Sequence, residues 1–219
     1  MITFEQISHN EQIRTYIRKE DEALRFLGFT EHSFPHVTKV AKESGEILTA
    51  LGYPARLAEL ARIAGYLHDI GNVVNRIDHA QSGAVMAFRL LDNLGMDAEE
   101  IATIISAIGN HDESTAAPVN PVAAALILAD KSDVRRSRVR NQDPATFDIH
   151  DRVNYAVESA KTSISQDKAT FTLEISIDTE ISSVMDYFEI FLDRMRLCYR
   201  AAETLKLHFH LIINHQVVL

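Results

Sequence analysis

Six side chains dispersed along the chain could do chemistry together: His36, His68, Asp69, His79, His111 and Asp130. Two of them are adjacent, in Ala64-Gly65-Tyr66-Leu67-His68-Asp69-Ile70-Gly71. Leu57, Leu60, Ala61, Ala64, Leu67 and His68 follow helical spacing, so His68 continues a buried stripe. Burying an imidazole beside a carboxylate is costly unless something pairs with them, and a divalent cation would do so. Successive helical side chains diverge by about 100°. His68 and Asp69 can therefore share an ion only if it lies in the angle between them, with other segments supplying the remaining ligands. The alternative at this dipeptide is a core histidine hydrogen-bonded to a helix-end carboxylate.

Each of the six lies at a predicted helix end or on an apolar face. Histidine and aspartate offer a neutral nitrogen and an anionic oxygen. Without thiolates, the set suits iron, manganese, nickel, zinc or magnesium better than a structural zinc site. Six groups could hold one ion or two. Two neighbouring cations would clamp a phosphate and acidify a bridging water. His32 rivals His36 as the first ligand. His208 and His210 share one strand face without a nearby carboxylate and read as exposed. His9, His150 and His215 read as surface, and Cys198 as core.

The elements that must position these groups are mostly helices. Residues 1–28 read as one or two covering helices, with Thr3 and Gln6 as a capping box. Pro35 opens a helix whose inward face includes Val37, Val40, Ala41 and Leu48. Pro54 opens the helix ending in His68-Asp69, with Gly71 at the expected C-terminal cap. A loop at 72–77 precedes a helix N-capped by Asp78. Asp97 and Glu100 resemble a capping box before the stripe Ile101, Ile104, Ile105, Ile108. Pro121 begins an almost wholly apolar helix from which Asp130 emerges. After the basic run of Arg135, Arg136, Arg138 and Arg140, a boundary falls at Asn141-Gln142-Asp143-Pro144, dividing a helical domain (1–143) from a small α+β region (144–219). There Val153, Tyr155 and Val157 suggest a strand. Phe171, Leu173, Ile175 and Ile177 alternate as a half-buried strand. Met185 to Ala202 is an amphipathic helix, and Phe209 to Val218 a last strand. The expected fold is thus mainly α, a helical bundle with a β-β-α-β appendage.

The chain has 219 residues, 46% hydrophobic and 24% charged, as an ordinary globular protein has. Its net charge of -9 argues against a nucleic-acid partner and fits a small substrate better than a polymer. One cysteine excludes an intramolecular disulfide. No signal pattern or membrane-length apolar run occurs, so the expected compartment is cytoplasmic, with no membrane partner. A homodimer is compatible with the sequence.

His36 followed by Val40-Ala41, then His68-Asp69, then Ala129-Asp130-Lys131 resembles the HD superfamily of metal-dependent phosphohydrolases, whose signature is the order H…HD…D. The resemblance spans roughly residues 30–135. It implies an all-helical fold with His36, His68, Asp69 and Asp130 as metal ligands. Asp78-His79 with Gly83-Ala84, and Ile108-Gly109-Asn110-His111, look like the two additional histidines of the dinuclear subgroup. That subgroup includes bacterial hydrolases splitting diadenosine tetraphosphate into two ADP. It implies that Asp69 bridges two ions and that His79 and His111 serve the second, or that either histidine contacts a phosphate. Many members carry a lysine where this chain has Asn72. Lys131, Arg135 and Arg136 could supply the phosphate-binding charge instead; the alternative for the arginines is a solvated face.

The expected activity is hydrolysis of phosphoester or phosphoanhydride bonds of a small nucleotide, with Asp69 and His68 as the catalytic pair and a metal-activated water as nucleophile. Two rivals would use the same ligands: a di-iron oxygenase, which would consume oxygen, and a non-catalytic module that holds metal and nucleotide intact.

Overall fold

A computed structural model describes residues 1–219. Nine helices precede and flank a four-stranded sheet near the C-terminus. The helices are α1 (Phe4–Ser8), α2 (Glu11–Phe26), α3 (Phe34–Leu51), α4 (Ala55–Leu67), α5 (His79–Asn93), α6 (Ala98–Gly109), α7 (Pro121–Lys131), α8 (Ile149–Ala156) and α9 (Val184–Thr204). The strands are β1 (Val157–Ile164), β2 (Thr170–Ile177), β3 (His208–Ile213) and β4 (Gln216–Val217).

Helix α7 is the axis of the bundle. Val122 to Ala129 are all buried, which a helix apolar all round requires, and α3, α4, α6 and α9 pack against it. One apolar core runs from Ile7 to Ile213 and includes residues of both α7 and α9. Helices α3 and α4 cross closely at Gly65, where an added Cβ would lie 2.8 Å from the Ala41 Cα. That contact sets His36, near the start of α3, against His68, at the end of α4.

The appendage is larger than the expected β-β-α-β unit. Strands β1 and β2 are antiparallel, α9 crosses over to β3 parallel to β2, and a turn at Asn214-His215 leads to the short antiparallel β4. The alternating strand Phe171 to Ile177 is present, and Phe171 stacks on its register partner Phe209 at 6.3 Å.

Five local expectations differ. Val153 and Tyr155 lie in α8 rather than a strand, because Asp148 accepts a hydrogen bond from the Asp151 N–H and caps a helix there; only from Val157 does the chain extend. Phe209 to Val218 is broken by two left-handed residues, Asn214 and His215. Gly71 is not a left-handed cap but lies in a 3₁₀ turn, Ile70–Val73. It must be glycine because a Cβ would overlap the carbonyl oxygen of His79 and come within 2.5 Å of the Gly83 nitrogen. Asp78 precedes α5 with φ of 57° but makes no side-chain cap. Similarly, Asp97 caps α6 through the Glu99 N–H, while Glu100 pairs with Arg56 rather than closing a box.

Candidate metal centre

Helix ends deliver all six side chains to one place. His36 lies in the first turn of α3, His68-Asp69 where α4 ends, His79 at the start of α5, His111 just after α6, and Asp130 in the last turn of α7. All but Asp130 are buried, and its side chain is 11% exposed.

The four imidazoles are oriented alike. Each Nδ1 meets an acceptor: Asp133 Oδ2 at 2.8 Å for His36, the Gly65 carbonyl at 2.8 Å for His68, the Arg76 carbonyl at 3.1 Å for His79 and the Ile108 carbonyl at 2.6 Å for His111. Such acceptors draw the proton to Nδ1 and leave the Nε2 lone pair to face inward.

The Nε2 atoms converge on Asp69, whose two oxygens face different pairs. Oδ2 lies 3.2 Å from His68 and 3.6 Å from His36. Oδ1 lies 3.4 Å from His79 and 3.9 Å from His111. Asp130 Oδ1 joins the first pair, at 3.4 Å from His36 and 3.7 Å from His68. The Nε2 atoms of His36 and His68 are buried without any hydrogen-bond partner, and those of His79 and His111 approach each other to 3.2 Å. Four buried Nε2 atoms aimed at two carboxylates from 3.2–3.9 Å form a poor hydrogen-bond network and suit a cation. Two groups, His36-His68-Asp130 and His68-Asp69-His111, have ligand atoms close enough to share an ion.

The electrostatics point the same way. Burial opposes ionisation of Asp69 and Asp130. The His68 charge outweighs it at Asp69, helped by the nearby His111 and His36 imidazoles; the Lys131 charge does so at Asp130, helped by His36 and His68. Both carboxyls are held well below their ordinary range. Burial lowers His68, yet Asp69 and Asp130 push it up to about 10, marking a spot that favours positive charge. His79 goes the other way, pushed down to about 4, first by burial and then by its histidine and arginine neighbours against the pull of Asp69.

The three cations expected at a phosphate are placed differently from one another. Lys131 is buried beside the centre, its Nζ 2.8 Å from Asp130 Oδ2 and 2.6 Å from Glu113 Oε2. Arg135 is engaged by Asp133, at 2.6 and 2.9 Å, and by Glu31. Arg136 is exposed, donates to the Tyr155 carbonyl and lies over the Tyr155 ring. The structure therefore brings Lys131 to the centre but not Arg135 or Arg136, whose charges are met by local partners. His32 stays outside the cluster, with Nδ1 on the Thr30 carbonyl. His208 and His210 are exposed, and Cys198 is buried, its thiol pushed up to about 12 by burial.

Several contributors were not legible as such. Asp133 anchors His36 from outside. Asn72 donates from Nδ2 to the Asp69 carbonyl at 2.8 Å and to Asp69 Oδ1 at 3.1 Å, so it orients the central carboxylate. Arg76 reaches Asn72 Oδ1 at 3.2 Å. Glu20 on α2 is buried with both carboxylate oxygens unpartnered, and burial, then the Asp69 charge, push it well up. The only signals were Asp133 lying one helical turn beyond Asp130 and Asn72 in place of lysine.

Residues 33–135 match the family model described as HD domain. Among solved structures, a predicted HD superfamily hydrolase from an uncultured Thermotogales bacterium is similar, with 26% identity over 58% of this chain and 69% of that chain and a TM-score of 0.45. No curated protein matches.

Proposed function

From the HD domain carried by residues 33–135, we propose that this chain is a metal-dependent phosphohydrolase acting on a small nucleotide-type substrate. In this reading His36, His68, Asp69 and Asp130 would hold one divalent ion, and Asp69, His79 and His111 would hold a second. Bound ions supply Lewis acidity toward phosphate oxygens and a water acidified toward neutral pH.

The chain's own residues do the positioning. The Nδ1 anchors hold each imidazole with its lone pair inward, and Asn72 fixes Asp69. Lys131 neutralises one oxygen of Asp130 and leaves the other facing the histidines. The observation that carries the reading is the pair of buried, unpartnered Nε2 atoms of His36 and His68 facing Asp69 and Asp130. A closer likeness to the dinuclear hydrolases of diadenosine tetraphosphate rests on His79 and His111 facing Asp69 Oδ1.

The test is elemental analysis of the purified chain, then a phosphate-release screen across nucleotides with the metal found, or with manganese. Asp69→Ala should lose both metal and turnover. Turnover retained in that variant would remove this centre from the reaction.

A further inference from the structure

A cavity of about 460 Å³ lies beside the centre, between the α2–α3 connection and helices α8 and α9. Cavities of roughly 300–1,000 Å³ suit small organic ligands. Three of its lining residues also touch the centre's surroundings. Arg76 Nη1 lies 3.5 Å from His79 Nε2. Glu113 holds Lys131, which holds Asp130. The His32 ring is 5.6 Å from that of His36.

The lining arginines are unequal. Arg138 is committed to Asp133 and to two carbonyls. Arg194 donates to Glu113 Oε1 at 2.9 Å. Arg76 forms no ion pair. Its nearest partners are the Asn72 amide oxygen, the His79 imidazole and the face of Phe29, 5.7 Å from the guanidinium. A half-buried guanidinium with no anion, at the junction of cavity and centre, is a seat for phosphate oxygens. Away from that junction the character changes. Phe29 is 39% exposed, and α8 with its cap contributes Asp148, Asp151 and Asn154, so that wall offers an aromatic ring, an amide and carboxylates, which suit the uncharged, hydrogen-bond-donating part of a ligand rather than its phosphate.

We propose that this cavity seats the organic body of a phosphorylated substrate, that Arg76 grips the phosphate where cavity meets centre, and that the C-terminal region thereby shapes specificity. The substrate class is an organic phosphate ester or anhydride whose ring packs against the exposed part of Phe29. This rests on the hydrolase reading above, and the test separates the two.

Binding of ADP and of inorganic pyrophosphate to the manganese-loaded full chain is measured by calorimetry, with manganese content determined in parallel. Arg76→Ala should weaken both ligands about 10–100-fold, as loss of charge-assisted bonds does, and Arg76→Lys should weaken them less. At saturating manganese the content should stay at the wild-type level, because the Arg76 carbonyl that anchors His79 Nδ1 remains in both variants. Phe29→Ala, at a partly exposed position, should weaken ADP about tenfold and leave pyrophosphate unaltered. Wild-type affinity in Arg76→Ala, equal loss of both ligands in Phe29→Ala, or no ADP binding to the loaded wild-type chain would each overturn the seat. ADP bound as expected, but no phosphate released from any nucleotide, would overturn the hydrolase reading and keep the seat. A wild-type chain that takes up no manganese would overturn both.

Discussion

Asp133 never faces the centre, yet it should control how well the centre holds metal. Its side chain is fully buried and both oxygens are used. Oδ2 accepts from His36 Nδ1 at 2.8 Å and from Arg135 Nη2 at 2.9 Å, and Oδ1 accepts from Arg135 Nε at 2.6 Å. Asparagine has one oxygen to offer. Placed toward His36 it keeps the Nδ1 proton in place, though with a neutral acceptor, and Arg135 must turn to Glu31, already 3.7 Å away. The loss is then the difference between a charge-assisted bond and a neutral one, about 1 kcal/mol, or roughly fivefold to tenfold in affinity. Alanine removes the acceptor altogether. His36 is then free to carry its proton on Nε2, where it blocks a ligand, and the cost should approach the upper end of the 10–100-fold range typical for outer-shell partners. Arg138, buried and paired with Asp133 at 3.7 Å, would also lose its carboxylate, so stability should fall by about 3 kcal/mol or more. Chelator competition with manganese, alongside thermal unfolding of the metal-free chain, reads both effects. Equal manganese affinity in wild type, Asp133→Asn and Asp133→Ala would refute the claim that the Nδ1 anchor sets the tautomer of His36.

Other outcomes follow from the same geometry. Metal uptake should strengthen with pH, because His68 is pushed up to about 10 and must release a proton before it can bind, whereas His79, pushed down to about 4, is already neutral. Manganese affinity should therefore rise about tenfold per pH unit between pH 6 and 8, one proton leaving per ion; a flat profile would contradict the charge distribution described. Gly71→Ala should destabilise the fold by about 3 kcal/mol, the upper end of overpacking costs, because the new Cβ meets the backbone of His79 and Gly83 rather than movable side chains. Denaturant titration checks it, and a loss below roughly 0.5 kcal/mol, ordinary for a neutral site, would show that the turn can move.

The histidines and aspartates of the centre were legible because polar residues on apolar helical stripes stand out, and because their order along the chain carries a resemblance. What they lean on was not. His36 and Asp133 are 97 positions apart, and nothing local in either sequence reveals the pairing. The arginine run shows the same limit: charge is visible in sequence, but whether it is free depends on partners such as Glu31 and the Tyr155 carbonyl, which only folding supplies. The misplaced strand at Val153 has a different origin. Three apolar residues at alternate positions satisfy a strand pattern even where a cap, here Asp148, starts a helix. Strand Phe171 to Ile177 was secure because its alternation continues through four buried positions.

The basic residues around the centre have a division of labour that explains where a cation would go. Lys131 takes one oxygen of Asp130, and Arg135 and Arg138 take Asp133. Asp69 has no lysine or arginine partner. Its oxygens face four imidazoles and the Asn72 amide. Had a buried lysine reached Asp69, its ammonium would occupy the place of an ion and the site would be an internal salt bridge. Instead the fixed cations neutralise the outer carboxylates, which lets three neighbouring aspartates coexist, and leave one carboxylate to be matched from outside the chain. Two oxygens with a pair of histidines on each side make that remaining demand directional, and ions between the imidazoles would meet it better than protons upon them.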